Sequence, residues 1–314
     1  MNGILINQIQ KTVDKHFSLG PIQTELPAGS VIALAGQNGS GKSTLLQLLA
    51  GLIKSEQGEV IIFGHKAGSL EAKKDTAYLS QGMELYGKFS PLQIANLYRL
   101  SFDDWSEESF IEYMKSFKIP IKKKLDSLSG GMQRKAMLGL HLSRSSKLFL
   151  MDEPYAGLDF ESQTALDQEI VNYMERGEGQ TILFSTHSGD EMKRVADYIL
   201  LIEEGKMLGF YEKDQLQESW KRIWISQPIH SNEPIPGIVR VESRGTELIT
   251  ENHAATVETL KNYGIDIVHT QAIELREILT ELSKKQLNST KKTELRIRYC
   301  LFSSCRSNHL VFKE

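Results

Sequence analysis

Three short stretches carry residues whose types and spacing suit phosphate chemistry. Gly36-Gln-Asn-Gly-Ser-Gly41-Lys42-Ser43 fits the pattern GxxxxGK(S/T). Its glycines leave backbone amides open to wrap phosphate oxygens, Lys42 would reach the outer phosphates, and the Ser43 hydroxyl would meet Mg2+. Lys147-Leu-Phe-Leu-Met-Asp152-Glu153 is an apolar run ending in two carboxylates. Alone, such a pair reads as a solvated acidic turn. Beside a phosphate-binding loop it reads as Asp152 in the Mg2+ shell and Glu153 as the base that polarises water for in-line attack on the γ-phosphorus. Leu128-Ser129-Gly130-Gly131-Met132 precedes a helical stretch. A Ser-Gly-Gly at a helix start offers a second anion site of backbone amides and a hydroxyl, although by itself it would be an ordinary helix cap.

The elements that must position these residues are legible around them. Residues 30–36 (SVIALAG) read as a short buried strand that runs into the glycine loop. An amphipathic helix follows from Lys42, with Leu45, Leu46, Leu48 and Leu49, and closes at Gly51. Further apolar strands are expected at 58–64, 147–152, 180–186 and 198–205, separated by helices at 160–176 and 189–196. Alternating buried strands and helices predict a mostly parallel sheet covered on both faces. Residues 84–128 are strand-poor and helix-like, with expected helices near 90–100 and 107–117, and read as a helical insertion. After Trp220 the pattern changes to short strands (KRIWIS, IVRVES, GTELIT, IDIVHT), a Pro-rich link, and helices near 254–263 and 272–285. This predicts a small separate α+β domain.

Composition bounds the function classes. The chain has 314 residues, 40% hydrophobic and 25% charged, enough to bury a core and far from disordered or fibrous compositions. No apolar run approaches the roughly 18 residues of a membrane span, and the longest, Thr44–Ile53, is broken by Gln47 and Gly51. The start lacks a secretory signal pattern, so the chain is expected in the cytosol unless recruited elsewhere. The two cysteines, Cys300 and Cys305, leave the first 299 residues without a disulfide framework or a structural zinc site. Net charge is −3, yet residues 284–314 hold eight Lys/Arg against two Glu, which leaves −9 on the preceding 283. An acidic body with a basic tail disfavours nucleic-acid binding by the body, and no nucleic-acid partner is expected.

The order of the motifs resembles that of the ATP-binding cassette (ABC) ATPases, because LSGGM stands between the glycine loop and KLFLMDEP. The rest of the set matches too: Gln81 in AYLSQ, Ala156-Gly-Leu-Asp159, and Ser185-Thr-His187. The resemblance covers roughly residues 1–220. It implies an α/β P-loop NTPase fold of ABC ATPase type, with a mostly parallel sheet core, an antiparallel β subdomain and a helical subdomain at about 84–140. A C-terminal α+β domain would span 221–285 and a basic tail 286–314. The implied ligands are ATP and Mg2+. Gly36, Gln37, Asn38, Gly39, Ser40, Gly41, Lys42, Ser43 and Thr44 would bind nucleotide, together with Ser129, Gly130, Gly131 and Asp159. Ser43, Gln81 and Asp152 would hold the metal, and Glu153, Gln81 and His187 would be catalytic. Two departures stand out. The signature carries Met132 where the family often has Gln, and Val13 falls where the family usually places an adenine-stacking aromatic, with His16 and Phe17 nearby.

The resemblance also implies partners. Two cassettes would associate head to tail, as a homodimer or heterodimer, so that ATP on one glycine loop is closed over by the other's Ser129, Gly130 and Gly131. Separate membrane-spanning permease subunits would receive the motion at the cytoplasmic face of the membrane, where this chain would be peripheral. Met83, Leu85, Tyr86 and Phe89 are the candidates for docking a permease helix. Overall resemblance favours export over import. The competing class, a soluble ABC ATPase acting on a ribosome or DNA, fits less well: translation-type members carry two cassettes, and repair types insert a long coiled coil.

Overall fold

The computed structural model describes residues 2–82, 86–177, 179–229 and 235–285. The basic tail, both cysteines, Met83 and Leu85 lie outside those residues. The chain divides after Leu216 into two compact units.

The first unit opens with strands β1 (Asn2–Thr12), β2 (Ser18–Pro27) and β3 (Val31–Ala35), followed by helix α1 (Lys42–Leu49). Next come β4 (Gln57–Ile62), β5 (His65–Lys66), α2 (Leu70–Asp75) and β6 (Thr76–Leu79). Three helices follow, α3 (Pro91–Ser101), α4 (Glu107–Ser116) and α5 (Gly130–Leu142). The remainder alternates: β7 (Leu148–Met151), α6 (Phe160–Met174), β8 (Thr181–Thr186), α7 (Gly189–Val195), β9 (Tyr198–Glu203) and β10 (Lys206–Glu212). Helix α8 (Lys213–Ser219) spans the division.

The main sheet has the order β10-β9-β3-β8-β7-β6. From β9 to β6 all neighbours are parallel, and β10 pairs antiparallel on the edge. Strands β3, β7 and β8 are buried at every position, as strands covered on both faces must be. Parallel pairing has a direct consequence for function. The C-terminal ends of β3, β6, β7 and β8 lie along one edge, and these ends lead into the glycine loop, Gln81, Asp152-Glu153 and His187.

A second, antiparallel sheet has the order β2-β1-β4-β5. Its inward residues Ile4, Ile6, Ile9, Leu19 and Ile22 join Leu45, Leu46 and Leu49 of α1 and Ile32, Leu34 and Leu150 of the main sheet in one buried cluster. Helix α1 therefore has no exposed residue, where the sequence suggests an amphipathic helix. Its leucines serve two sheets at once, and this fixes the helix that carries the loop. The helix ends at Ala50, with Gly51 in the left-handed conformation (φ 67°). A β-carbon at Gly51 would come within 2.4 Å of the Gly68 backbone, so only glycine fits.

Arg144, just past α5, fastens the helical segment to the strand that leads to Gln81. Its guanidinium donates to the carbonyls of Lys74 (2.7 Å) and Thr76 (3.0 Å) and stacks 3.8 Å from the Phe102 ring centre.

The second unit contains β11 (Lys221–Ile225), β12 (Ile238–Glu242), β13 (Glu247–Thr250), α9 (His253–Asn262), β14 (Ile267–Ala272) and a helix α10 at 275–285. Its sheet, ordered β12-β13-β11-β14, is antiparallel throughout and packs around Ile223, Ile225, Leu248, Leu260 and Ile265. The last helix begins later than its apolar pattern suggests, because Ala272 pairs with Lys221 as the end of β14. Among the described residues no helix is long and apolar enough to cross a membrane.

Candidate functional site

The glycine loop is built by what its backbone must do. A β-carbon on Gly36 would lie 2.2 Å from the Ile202 carbonyl oxygen, and Gly39 and Gly41 have φ of 80° and 104°. Gly41 caps α1 with no side chain accepting from the first turn, so the helix presents its N-terminal amides to the cleft. Lys42 is buried, and its ammonium donates to the carbonyls of Gly36 (2.8 Å) and Gln37 (2.9 Å). It closes its own loop and has one further N–H. Burial lowers the Lys42 pKa, while the carboxylates of Glu153, Asp152 and Glu203 act in the opposite direction.

A cleft of about 500 Å3 opens above this loop, lined by Val13, Asp14, Phe17, Asn38, Gly39, Gly41, Lys42, Ser43, Thr44, Gln81 and Glu153. Asp14 orders the β1–β2 turn, its Oδ1 accepting from the backbone N–H groups of His16 (2.7 Å) and Phe17 (2.9 Å). Phe17 sits over the loop, since a β-carbon on Gly41 would come 3.1 Å from its ring. Val13 and Phe17 thus share the cleft mouth, and His16 contributes its backbone N–H to this turn.

Glu153 follows β7 with φ of 45°, a left-handed conformation costly for a residue with a side chain. Its carboxylate accepts from Gln81 Nε2 at 2.9 Å. Its N–H donates to Ser185 Oγ (2.8 Å), and the same hydroxyl donates to Asp152 Oδ1 (2.6 Å). Its carbonyl accepts from Arg134 of α5 at 3.0 Å. His187 is exposed one strand over, past β8. There Thr186 Oγ1 donates to Glu191 and accepts from the Ser188 N–H at 2.9 Å.

The structure brings Asn38, Gly39, Gly41, Lys42, Ser43, Thr44, Gln81 and Glu153 together, but the lining of this cleft does not include Gly36, Gln37, Ser40, Asp152, His187, Ser129, Gly130, Gly131 or Asp159. Ser129 is exposed and caps α5 by accepting from the Met132 N–H (3.3 Å). Asp159 caps α6, accepting from the Ser162 N–H at 2.9 Å, and hydrogen bonding from the Ser162 side chain first, then from this N–H, holds its pKa below the ordinary value. Two residues absent from the sequence-based site carry weight here: Ser185 and Arg134.

A family model described as ABC transporter matches residues 19–156. The energy-coupling factor transporter ATP-binding protein EcfA2 of Ligilactobacillus salivarius is 30% identical over 208 residues, covering 62% of this chain and 72% of that protein. The chain belongs to the ABC transporter ATP-binding family. It is an ABC-type ATPase. The linearmycin resistance ATP-binding protein LnrL of Bacillus subtilis is 26% identical, with 66% of this chain and 68% of that protein covered. Among solved structures, a dimeric bacterial ABC transporter cassette superposes with a TM-score of 0.59 at 22% identity, covering 67% of this chain and 98% of that one. That likeness establishes the ABC ATPase fold for the first unit.

Proposed function

We propose that this ABC ATPase is the motor subunit of a transporter and works as one half of a head-to-tail pair of cassettes. The observation that carries the reading is the open backbone at Gly130 and Gly131. A β-carbon at Gly130 would meet nothing within 4 Å and one at Gly131 only a Leu158 methyl at 3.8 Å, and neither glycine has a left-handed φ. Packing among the described residues gives no reason for glycine at either position. Close approach of another molecule does, and the γ-phosphate of ATP held on the partner cassette's glycine loop fits the amides and hydroxyl at the start of α5.

Within one site, the loop amides and Lys42 bind the phosphates, and Glu153 receives a proton from water as its oxygen bonds to the γ-phosphorus. The bond to the β,γ-bridging oxygen breaks with its electron pair leaving on ADP. Gln81 holds the Glu153 carboxylate in place. Mg2+ fits the donor set. Ser43, Gln81 and Asp152 offer hard oxygens, and Gln81 keeps its amide oxygen while its nitrogen bonds Glu153. Among the described residues no cluster of three or more His, Cys, Asp or Glu competes as a metal site. Bound there, Mg2+ would offset the charge that builds up on the phosphates.

The relatives' names support a transport role: EcfA2 and LnrL are described as transporter and resistance ATP-binding proteins. We place this chain at the cytoplasmic face of the membrane as a peripheral subunit, with separate permease chains. The segment after Gln81 is the proposed contact. Phe89 is 42% exposed and Tyr86 half-buried, on a turn tied by the Leu125 and Asp126 N–H groups to the carbonyls of Phe89 and Gly87. Export is the proposed direction.

Glu153→Gln tests the core of this reading. The amide keeps shape but cannot take the proton, so ATP binding should persist while turnover falls at least about 100-fold. With ATP and Mg2+ the variant should elute as a dimer in size-exclusion chromatography. Near wild-type turnover would remove Glu153 from the role of base.

A further inference from the structure

Glu153 is the reacting carboxylate of the reading above, yet its backbone sits in a conformation that only surrounding contacts can maintain (φ 45°). Those contacts come from both sides. Ser185 takes the N–H, and Arg134 holds the carbonyl (3.0 Å). The same guanidinium reaches the carbonyls of Asp152 and Gln81, each at 3.5 Å. Arg134 is only 8% exposed, and burial depresses its pKa while Glu153 and Asp152 offset that effect. A buried guanidinium ringed by three carbonyl oxygens of two functional loops is a costly arrangement unless those bonds are formed.

We propose that Arg134 is a positioning residue for hydrolysis: its fork fixes the left-handed backbone of Glu153 and the backbone of Gln81 relative to each other. Arg suits this role and Lys does so only in part, because the planar guanidinium presents several donors in fixed directions, whereas an ammonium is a point donor on a flexible stem. The position of Arg134 adds a consequence. It lies five residues after Ser129 on α5, so the helix that offers its start to the partner cassette also holds this cassette's own Glu153.

The inference rests on Glu153 being the base, and the test separates the two. Full-length Arg134→Met and Arg134→Lys are compared with Glu153→Gln and wild type for melting temperature, ATP KM, kcat, and amide hydrogen exchange in the peptide spanning 150–157. The expected result for Arg134→Met is a kcat at least tenfold lower, with KM changed less than threefold. Exchange should be at least tenfold faster in 150–157 and unaltered elsewhere in the main sheet. Arg134→Lys should lie between Arg134→Met and wild type in both respects. If Arg134→Met does not fold, Arg134→Lys carries the test, with lowered kcat at constant KM supporting the proposal. Wild-type kcat in a folded variant overturns it, as does exchange that accelerates uniformly across the sheet. If Glu153→Gln retains turnover, the base assignment fails, and exchange in 150–157 still decides whether Arg134 holds that backbone.

Discussion

Ser185 holds two groups of the site with one hydroxyl, donating to Asp152 and accepting from the Glu153 N–H, and it is fully buried. Removing the hydroxyl leaves a buried carboxylate oxygen and a buried N–H without that partner. Ser185→Ala should therefore lower unfolding free energy by about 1–3 kcal/mol in urea titration and raise the Mg2+ concentration needed for half-maximal ATPase. Adding Asp152→Ala should cost less than the sum of the two single changes, because the acceptor that Ser185 served is gone. Additive costs would mean that the Ser185–Asp152 bond contributes nothing. Neither Ser185 nor Arg134 was legible as a site residue. The glycine loop and the Asp152-Glu153 pair show themselves in sequence because their chemistry is packed into consecutive positions. Ser185 and Arg134 reach the Glu153 backbone from 32 and 19 residues away, one from β8 and the other from α5, and backbone groups leave no trace in residue type.

At the scale of elements, α5 combines an exposed start at Ser129 with a buried end at His141. The imidazole lies edge-on to Tyr98, whose hydroxyl is 3.3 Å from Nδ1, and 5.9 Å from the Phe149 ring. Burial, reinforced by the Arg144 charge, pushes its pKa down to about 3. The unfolded chain protonates a histidine near pH 6.5. Between that value and about 3 the unfolded state binds one proton more than the folded state, so stability falls as pH falls through this window. His141→Leu should remove that component. From pH 7.5 to 5.5, the stability it loses in urea unfolding should be about 1.4 kcal/mol less than wild type loses. Equal losses would show a histidine that takes up its proton over the same pH range in the folded chain as in the unfolded one. Strands β3, β7, β8 and β9 are readable from their unbroken apolar runs, whereas β6 and β10 of the main sheet are not, and neither is β1. Its buried Ile4, Ile6 and Ile9 lose the two-residue period at Gln8, where φ is 49° and the pairing shifts. Helix α1 was readable as a helix but not as one enclosed by two sheets, because burial on a second face depends on a sheet whose strands are distant in sequence.

For the whole molecule, the proposed head-to-tail pair makes the cleft holding Lys42 and the exposed start of α5 complementary halves of one site. The motif order in sequence points to this division, and the fold adds that packing among the described residues does not account for Gly130 and Gly131. If two copies share sites, Lys42→Ala removes phosphate binding on its own chain, and Ser129→Arg blocks closure over the partner's nucleotide. Ser129 is exposed, so the arginine meets no core, and the lost helix cap should cost only about 1 kcal/mol. Each variant alone should be inactive. In an equal mixture with free exchange, half the dimers are mixed, and each of these holds one site with an intact Lys42 facing an intact Ser129. Recovery of about a quarter of wild-type ATPase is then expected for a two-fold symmetric pair. The measurement is ATPase activity of the mixture beside a fluorescence readout of subunit exchange. Exchange without recovery would count against sites shared between copies of this chain and would direct attention to a different cassette as the partner.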